Sequence, residues 1–174
     1  DLQRGYGFYR VGEQYVDPDT NEVLGYEARQ IGLGRVADHD EDMLTLRVTR
    51  SSEDLRIDDR LFSTEDRRVR SVLYPSAPDT KIEGKVIRFF DRISSVARND
   101  VVVVNKGLRD GLKEGNVLDV FGQGEAVRDR QRGDMVRLPR ERTGSMVIFR
   151  VFDKVSYGLI MESTRPIYMN DIAE

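Results

Sequence analysis

Apolar and polar positions along this chain change over short distances. Short apolar or alternating runs are separated by Gly, Pro, Asn and Asp, and no helical period is sustained between them, a pattern that predicts short strands joined by turns. The clearest stretch is Gly84–Phe121. At its centre Val101, Val102, Val103 and Val104 form a β-branched run that predicts a buried strand, and Asn105-Lys106-Gly107 behind it permits a turn at positive φ. Val117-Leu118-Asp119-Val120-Phe121 is a further strand, reached through the turn-rich Arg109–Asn116, and Gly84–Phe89 is the opening one. Strands of this kind, linked by glycine-bearing turns, predict a small closed or half-closed β-barrel rather than a doubly wound sheet.

The chain before this stretch reads the same way. Tyr6–Val11 and Glu13–Val16 lead into the turn cluster Asp17-Pro18-Asp19-Thr20-Asn21 and then Glu22-Val23-Leu24, which together predict a hairpin. Gly25–Gly32 is expected as a strand, and Met43–Thr49 alternates well enough to have one dry face. The acidic Asp38-His39-Asp40-Glu41-Asp42 is expected as a loop between them, and Ser51–Phe62 closes this part. Pro75-Ser76-Ala77-Pro78 removes backbone donors and favours extended structure, so it marks the boundary. The expectation is an all-β chain of two small barrel- or sandwich-like modules, residues 1–74 and 81–174, joined by a proline-rich linker at 75–80. From Ala126 the order of parts repeats faintly: Asp129–Met135 takes the place of Asp17–Val23, Gly144–Val151 that of Gly25–Gly32, and Tyr157–Asp171 that of Thr45–Asp59. Leu55 and Ile167 each stand four residues before Asp59 and Asp171. Such a replay suggests a duplication.

Composition narrows the class. With 174 residues, 39% of them hydrophobic and 34% charged, the chain can bury a core without metal or disulfide. No apolar run approaches the roughly 20 residues of a transmembrane helix. The formal net charge of −3 is no nucleic-acid footprint. The absence of cysteine removes disulfide frameworks, thiolate zinc sites and cysteine nucleophiles together, and fits cytosol and periplasm equally. The chain opens at Asp1 without an initiator Met or a signal-peptide core, which reads as a processed or cloned fragment.

Candidate chemistry is sparse. Asp17-Pro18-Asp19-Thr20-Asn21 begins like a calcium loop, but the glycine and bidentate glutamate that such a loop needs are replaced by Glu22 and Ala28. Those aspartates are expected to cap backbone amides in a turn. His39, the only histidine, sits among carboxylates and reads as part of a solvated tip. Gly144-Ser145-Met146 is no strained nucleophile elbow, because it falls inside a predicted strand. Gly122-Gln123-Gly124 lacks the later glycine and the helix of a dinucleotide site. No catalytic residue, metal ligand or cofactor is therefore expected. Arg128, Arg130, Arg132, Arg137, Arg140 and Arg142 make one region locally basic, a candidate docking surface for an acidic partner or lipid phosphates. Phe89-Phe90 is another, since successive strand residues face opposite ways and one ring of such a pair is often left outside. Tyr6, Phe8 and Tyr9 carry the same ambiguity near the N-terminus.

Two groups of motifs go further. Gly84–Phe121, followed by Gly144–Tyr157 with its Phe152-Asp153-Lys154-Val155-Ser156 turn, resembles the C-terminal domain of the flagellar T-ring protein. The whole chain resembles the secretin-associated, LysM-containing protein of type IV pilus machines. The shared signals are Tyr9-Arg10-Val11-Gly12, Asp17-Pro18, Glu22–Ala28, Pro75-Ser76-Ala77-Pro78, Val127-Arg128-Asp129, Val136-Arg137-Leu138-Pro139 and Phe149–Tyr157. They occur in order over nearly the full length. One departs: the usual Asp-Pro-x-Thr-Gly-Glu hairpin is here Asp129-Arg130-Gln131-Arg132-Gly133-Asp134. The resemblance implies a periplasmic, non-enzymatic protein that associates with the outer-membrane secretin ring during fimbrium biogenesis. An upstream LysM domain, absent from these residues, would hold it to peptidoglycan. The competing expectation is a carbohydrate-binding module or hydrolase acting on cell-wall glycan, which would need an aromatic platform from Tyr6, Phe8, Tyr9 and Tyr26 or a carboxylate pair across a cleft. The chain has no tryptophan to support it.

Overall fold

A computed structural model describes residues 5–40, 42–64, 72–90, 94–124, 126–128 and 133–174. Among the described residues nearly every regular element is a strand, and one 3-10 turn at Leu108–Asp110 is the single helical piece. The chain is all-β, as the pattern predicts. It forms two compact units: Asp1–Gln14 with Tyr26–Val69, and Tyr15–Gly25 with Arg70–Glu174. The turn of the first hairpin therefore belongs to the second unit.

The first unit is an open sheet in the order β3-β2-β1-β4, built from β1 (Gly5–Val16), β2 (Val23–Asp40), β3 (Met43–Ser51) and β4 (Arg60–Ser63). Tyr9 and Ile31 are buried in it. The Tyr9 ring lies across Gly7, where any side chain would collide with it, and meets Phe62 edge-on at 5.6 Å between centroids. Phe8 covers Gly32 and Gly34 in the same manner. Arg10 pins the loop before β4: its guanidinium reaches Glu53 at 2.8 Å and Asp59 at 2.9 Å. Two expectations are corrected here. Asp38, His39 and Asp40 continue β2 and are not loop, because the ladder with β3 extends to the tip, with His39 opposite Leu44. The face of β3 expected to be dry is open to solvent, with Leu44 and Val48 43% and 44% exposed.

The second unit is a closed barrel of β5 (Gly84–Phe89), β6 (Val101–Val104), β7 (Val117–Phe121), β10 (Arg142–Val151), β11 (Ser156–Ser163) and β12 (Ile172–Ala173), in the order β10-β11-β6-β5-β12-β7. Pairing of β7 with β10 closes the ring. A separate small ladder joins β8 (Ala126–Arg128) to β9 (Met135–Arg137). Strand alternation fills the interior: Val102 and Val104, Leu118 and Val120, Met146 and Ile148, with Val86, Phe89, Ile160 and Ile167, pack into one cluster. Each such side chain contributes roughly 1.5–3 kcal/mol on burial. Val103, pointing the other way, is also fully buried, and that observation leads to the site.

One turn recurs before four strands. In Arg56–Asp59, Ala97–Asp100, Lys113–Asn116 and Tyr168–Asp171 the side-chain oxygen of the fourth residue accepts the first residue's N–H, and the fourth residue's N–H donates back to the first residue's carbonyl. The next residue opens β4, β6, β7 or β12. Asn99, Gly115 and Asn170 take the positive φ in the third position, the conformation that Asn and Gly tolerate best. This turn is what Asp59 and Asp171 share. The open sheet and the closed barrel around them are different architectures. The proline stretch is tied down as well: Ser76 N–H donates to Gly115 O at 3.0 Å, and Val117 N–H donates to Ser76 O at 2.9 Å.

Candidate functional site on the outer wall of the barrel

Val103 is buried because the tip of the β1–β2 hairpin lies over it. Tyr15 and Leu24, the two residues flanking the turn, pack with Ile87, Val103 and Val155 against Tyr157, and the Tyr15 and Tyr157 hydroxyls meet at 3.3 Å. Polar contacts fix the turn. One oxygen of Asp17 accepts the N–H groups of Asp19 and Thr20, and the other accepts the Asn105 side-chain amide at 2.8 Å. Burial alone would raise the Asp17 pKa, yet these donors outweigh it and the group is held below its usual range. Asn105 in turn accepts the Lys85 N–H. Lys85 reaches Asp19 at 2.5 Å, and Glu22 receives Arg109 in a two-pronged pair at 2.8 and 2.9 Å and Lys154 at 2.7 Å. Hydrogen bonds from Arg109 first, then Lys154, lower the Glu22 pKa to about 2.

Beside this clasp the outer wall carries rings. Tyr157 is their centre: Phe90 stands edge-on to it at 5.2 Å, Phe152 at 5.1 Å, and Phe149 is tilted at 6.3 Å. Arg150 lies over the Phe152 ring at 5.8 Å. Phe90 and Phe152 are 37% and 40% exposed. The Phe89-Phe90 pair divides as strand geometry requires, with Phe89 in the barrel core and Phe90 outside. The result is an aromatic patch with an arginine on it, next to a turn immobilised by charge.

Among the described arginines of the basic region, each is engaged within the barrel unit. Arg142 is engaged with Asp119 at 2.7 Å and Glu162 at 3.2 Å, and Arg140 with Glu83 at 3.3 Å. Arg128 donates to the Gly133 carbonyl across its own hairpin. Arg130 and Arg132 lie outside the described residues, as does the side chain of Arg137, whose backbone pairs with Ala126 in β9. Exposed Leu138 joins Gln123, Tyr168 and Met169 around a cleft of about 640 Å³. Asp171 lines it and is buried, with its pKa raised by that burial against the opposing N–H groups of Tyr168 and Gln123. Its carboxylate serves the recurrent turn and so holds backbone.

Among the described residues no three His, Asp or Glu side chains are grouped to hold a metal ion. His39 is exposed in β2, and Ser145 is half-buried in β10. Of the possible aromatic platform, Tyr9 is buried, Phe8 covers two glycines, and Tyr26 is exposed. No helix among the described residues is long and apolar enough to cross a membrane. Sequence reasoning missed Asp17, Asp19, Glu22, Lys85, Asn105, Arg109 and Lys154 as a unit, since their pairs span 66 to 132 residues. The spacing of Phe149, Phe152 and Tyr157 around one turn was a visible signal for the patch. In comparisons with known proteins, no family model and no curated protein matches the chain.

Proposed function

We propose that this chain is a non-enzymatic periplasmic assembly module that associates with the outer-membrane secretin ring of a type IV pilus machine, with a LysM domain beyond these residues holding the complex to peptidoglycan. The observation that carries the reading is the aromatic patch of Phe90, Phe149, Phe152 and Tyr157 with Arg150. Half-exposed aromatic rings and an arginine on a rigid scaffold have the composition of a protein-binding hot spot. The clasped hairpin beside them limits the ordering cost of binding. The partner comes from the resemblance of ordered motifs along the sequence. A symmetric ring would multiply weak contacts by raising effective concentration.

A glycan platform is less well served by this surface, because sugar stacking uses broadly exposed ring faces and Phe90 and Phe152 are only 37% and 40% exposed. The test is retention of purified secretin rings by the immobilised chain at low and high salt, beside sedimentation of the chain with purified peptidoglycan. Secretin retention without glycan sedimentation is expected, with a modest loss at high salt. Glycan sedimentation without secretin retention would favour the carbohydrate-binding alternative instead.

A further inference from the structure

β3 is the end strand of its sheet, and among the described residues only β2 pairs with it. Every side chain on it except Leu46 is exposed, including Met43 at 71%, Leu44 at 43% and Val48 at 44%. Such an edge offers unpaired backbone groups and apolar side chains together, which folded proteins normally guard. The arginines along it also lack opposite charges among the described residues. Arg35 lies directly opposite Arg47, a like-charge pair that destabilises an isolated sheet. Neither of them, nor Arg50, has an ion-pair partner among the described residues. Toward the tip, Asp38 lies opposite Thr45 and turns its carboxylate to the His39 N–H. Arginines without ion-pair partners among the described residues thus occupy one end of the edge, and the carboxylates of Asp38 and Asp40 lie toward the other.

We infer that two copies of this chain pair through β3, antiparallel and edge to edge, about a two-fold axis at Leu46. That register sets Leu44 against Val48 of the second copy and Leu46 against itself, flanked by Val36 from each β2. It also sets Arg47 against Thr45 of the second copy. Arg35 and Arg47 then share a row with that copy's Thr45 and Asp38. Arg47 and Asp38 stand two strand spacings apart, about 10 Å, a gap that long side chains span. Symmetry repeats the contact. A register centred on Arg47 would instead put four arginines abreast. The straight edge ends at Thr49, an extra residue on β3 whose hydroxyl donates to the Leu33 carbonyl. A bulge there limits the ladder to a few residues, and the two-fold axis uses up both edges, so assembly stops at two copies. The pairing does not depend on the secretin reading.

Because the chain contains no cysteine, the axis can be located chemically. Across a two-fold axis, Cys at position 46 in each copy brings Cα atoms to about 4.5–5.5 Å, inside the range a disulfide accepts. The full chain carrying Leu46→Cys is oxidised beside Leu44→Cys, which faces position 48 of the second copy, and beside Ile57→Cys on a fully exposed loop. Leu46→Cys is expected to give linked dimer at least about tenfold faster than either control, with circular dichroism confirming that all three fold. Sedimentation equilibrium of the unsubstituted chain is expected to show reversible dimer. Arg47→Glu should raise its dissociation constant about tenfold or more, and adding Asp38→Arg to the same chain should restore it. Equal cross-linking at the three positions, or a chain that stays monomeric up to about millimolar concentration, overturns the inference.

Discussion

Asp59 and Asp171 occupy the same position in the same turn, yet acid should affect them oppositely. Asp171 is buried without a cation, and burial raises its pKa against the opposing N–H groups. A carboxyl whose folded pKa is raised contributes stability at low pH, and that contribution is lost as pH rises through the folded value. Asp171→Asn should therefore be neutral to stabilising at neutral pH in urea unfolding, with the difference from the parent shrinking as pH falls below the ordinary aspartate range. Asn116 already fills the equivalent place in the Lys113–Asn116 turn. Asp171→Ala should cost about 1–3 kcal/mol, because two backbone donors lose their acceptor. Asp59, hydrogen-bonded first by Arg10, is held below the ordinary aspartate range. Its contribution is present above that range and is lost on acidification, so Asp59→Asn should destabilise the first unit at neutral pH and matter little in acid. Reversed pH trends for the two substitutions would contradict this account of the turn.

The hairpin turn and the barrel strands make the next scale. Glu22, with its pKa lowered to about 2 by Arg109 and Lys154, supports docking above the ordinary glutamate range and stops doing so as pH falls from about 4.5 toward about 2. Protection of the Val103 and Asn105 amides, taken relative to the intrinsic exchange rate at each pH, should fall across that window and should fall at neutral pH in Glu22→Gln. High salt should act in the same direction, since these are partly exposed pairs. Protection that ignores pH, salt and the substitution would mean that the apolar contacts of Tyr15 and Leu24 hold the turn alone. Gly107 is a second element-scale test. A methyl group there meets the carbonyl oxygens of Phe152 and Asp153, and the Leu108 N–H bond to Phe152 O at 2.8 Å is lost with any retreat. Gly107→Ala should cost about 1–3 kcal/mol of barrel stability in denaturant unfolding.

At the scale of the molecule, what the sequence made legible was local and periodic. The Val101–Val104 strand and the barrel class followed from side-chain branching and alternation, and the division of Phe89 from Phe90 followed from the two-residue period, whereas the positive φ allowed for Asn105-Lys106-Gly107 is not taken up, Gly107 lying extended at φ −144°. The docking of Asp17–Glu22 onto Lys85, Asn105, Arg109 and Lys154 was not legible, because no local pattern encodes contacts between residues so far apart. Six arginines close in sequence suggested one surface; of the described ones, Arg140 pairs with Glu83 just before β5, and Arg142 with Asp119 of β7 and Glu162 of β11. The alternation of β3 suggested a dry face that the structure does not show, because no described residue covers Leu44 and Val48. The proline stretch looked like a linker because its composition hides the bonds of Ser76 to the barrel loop.

The outer wall of the barrel is the proposed protein-binding surface. The measurement that reaches it directly is a binding isotherm of the chain with purified secretin rings, repeated with Phe152→Ser and Phe90→Ser after circular dichroism shows both variants folded. Binding by the parent, weakened by about 1–3 kcal/mol in each variant, is the predicted result. Secretin binding that both variants retain at full strength, or no binding by the parent at all, would contradict it.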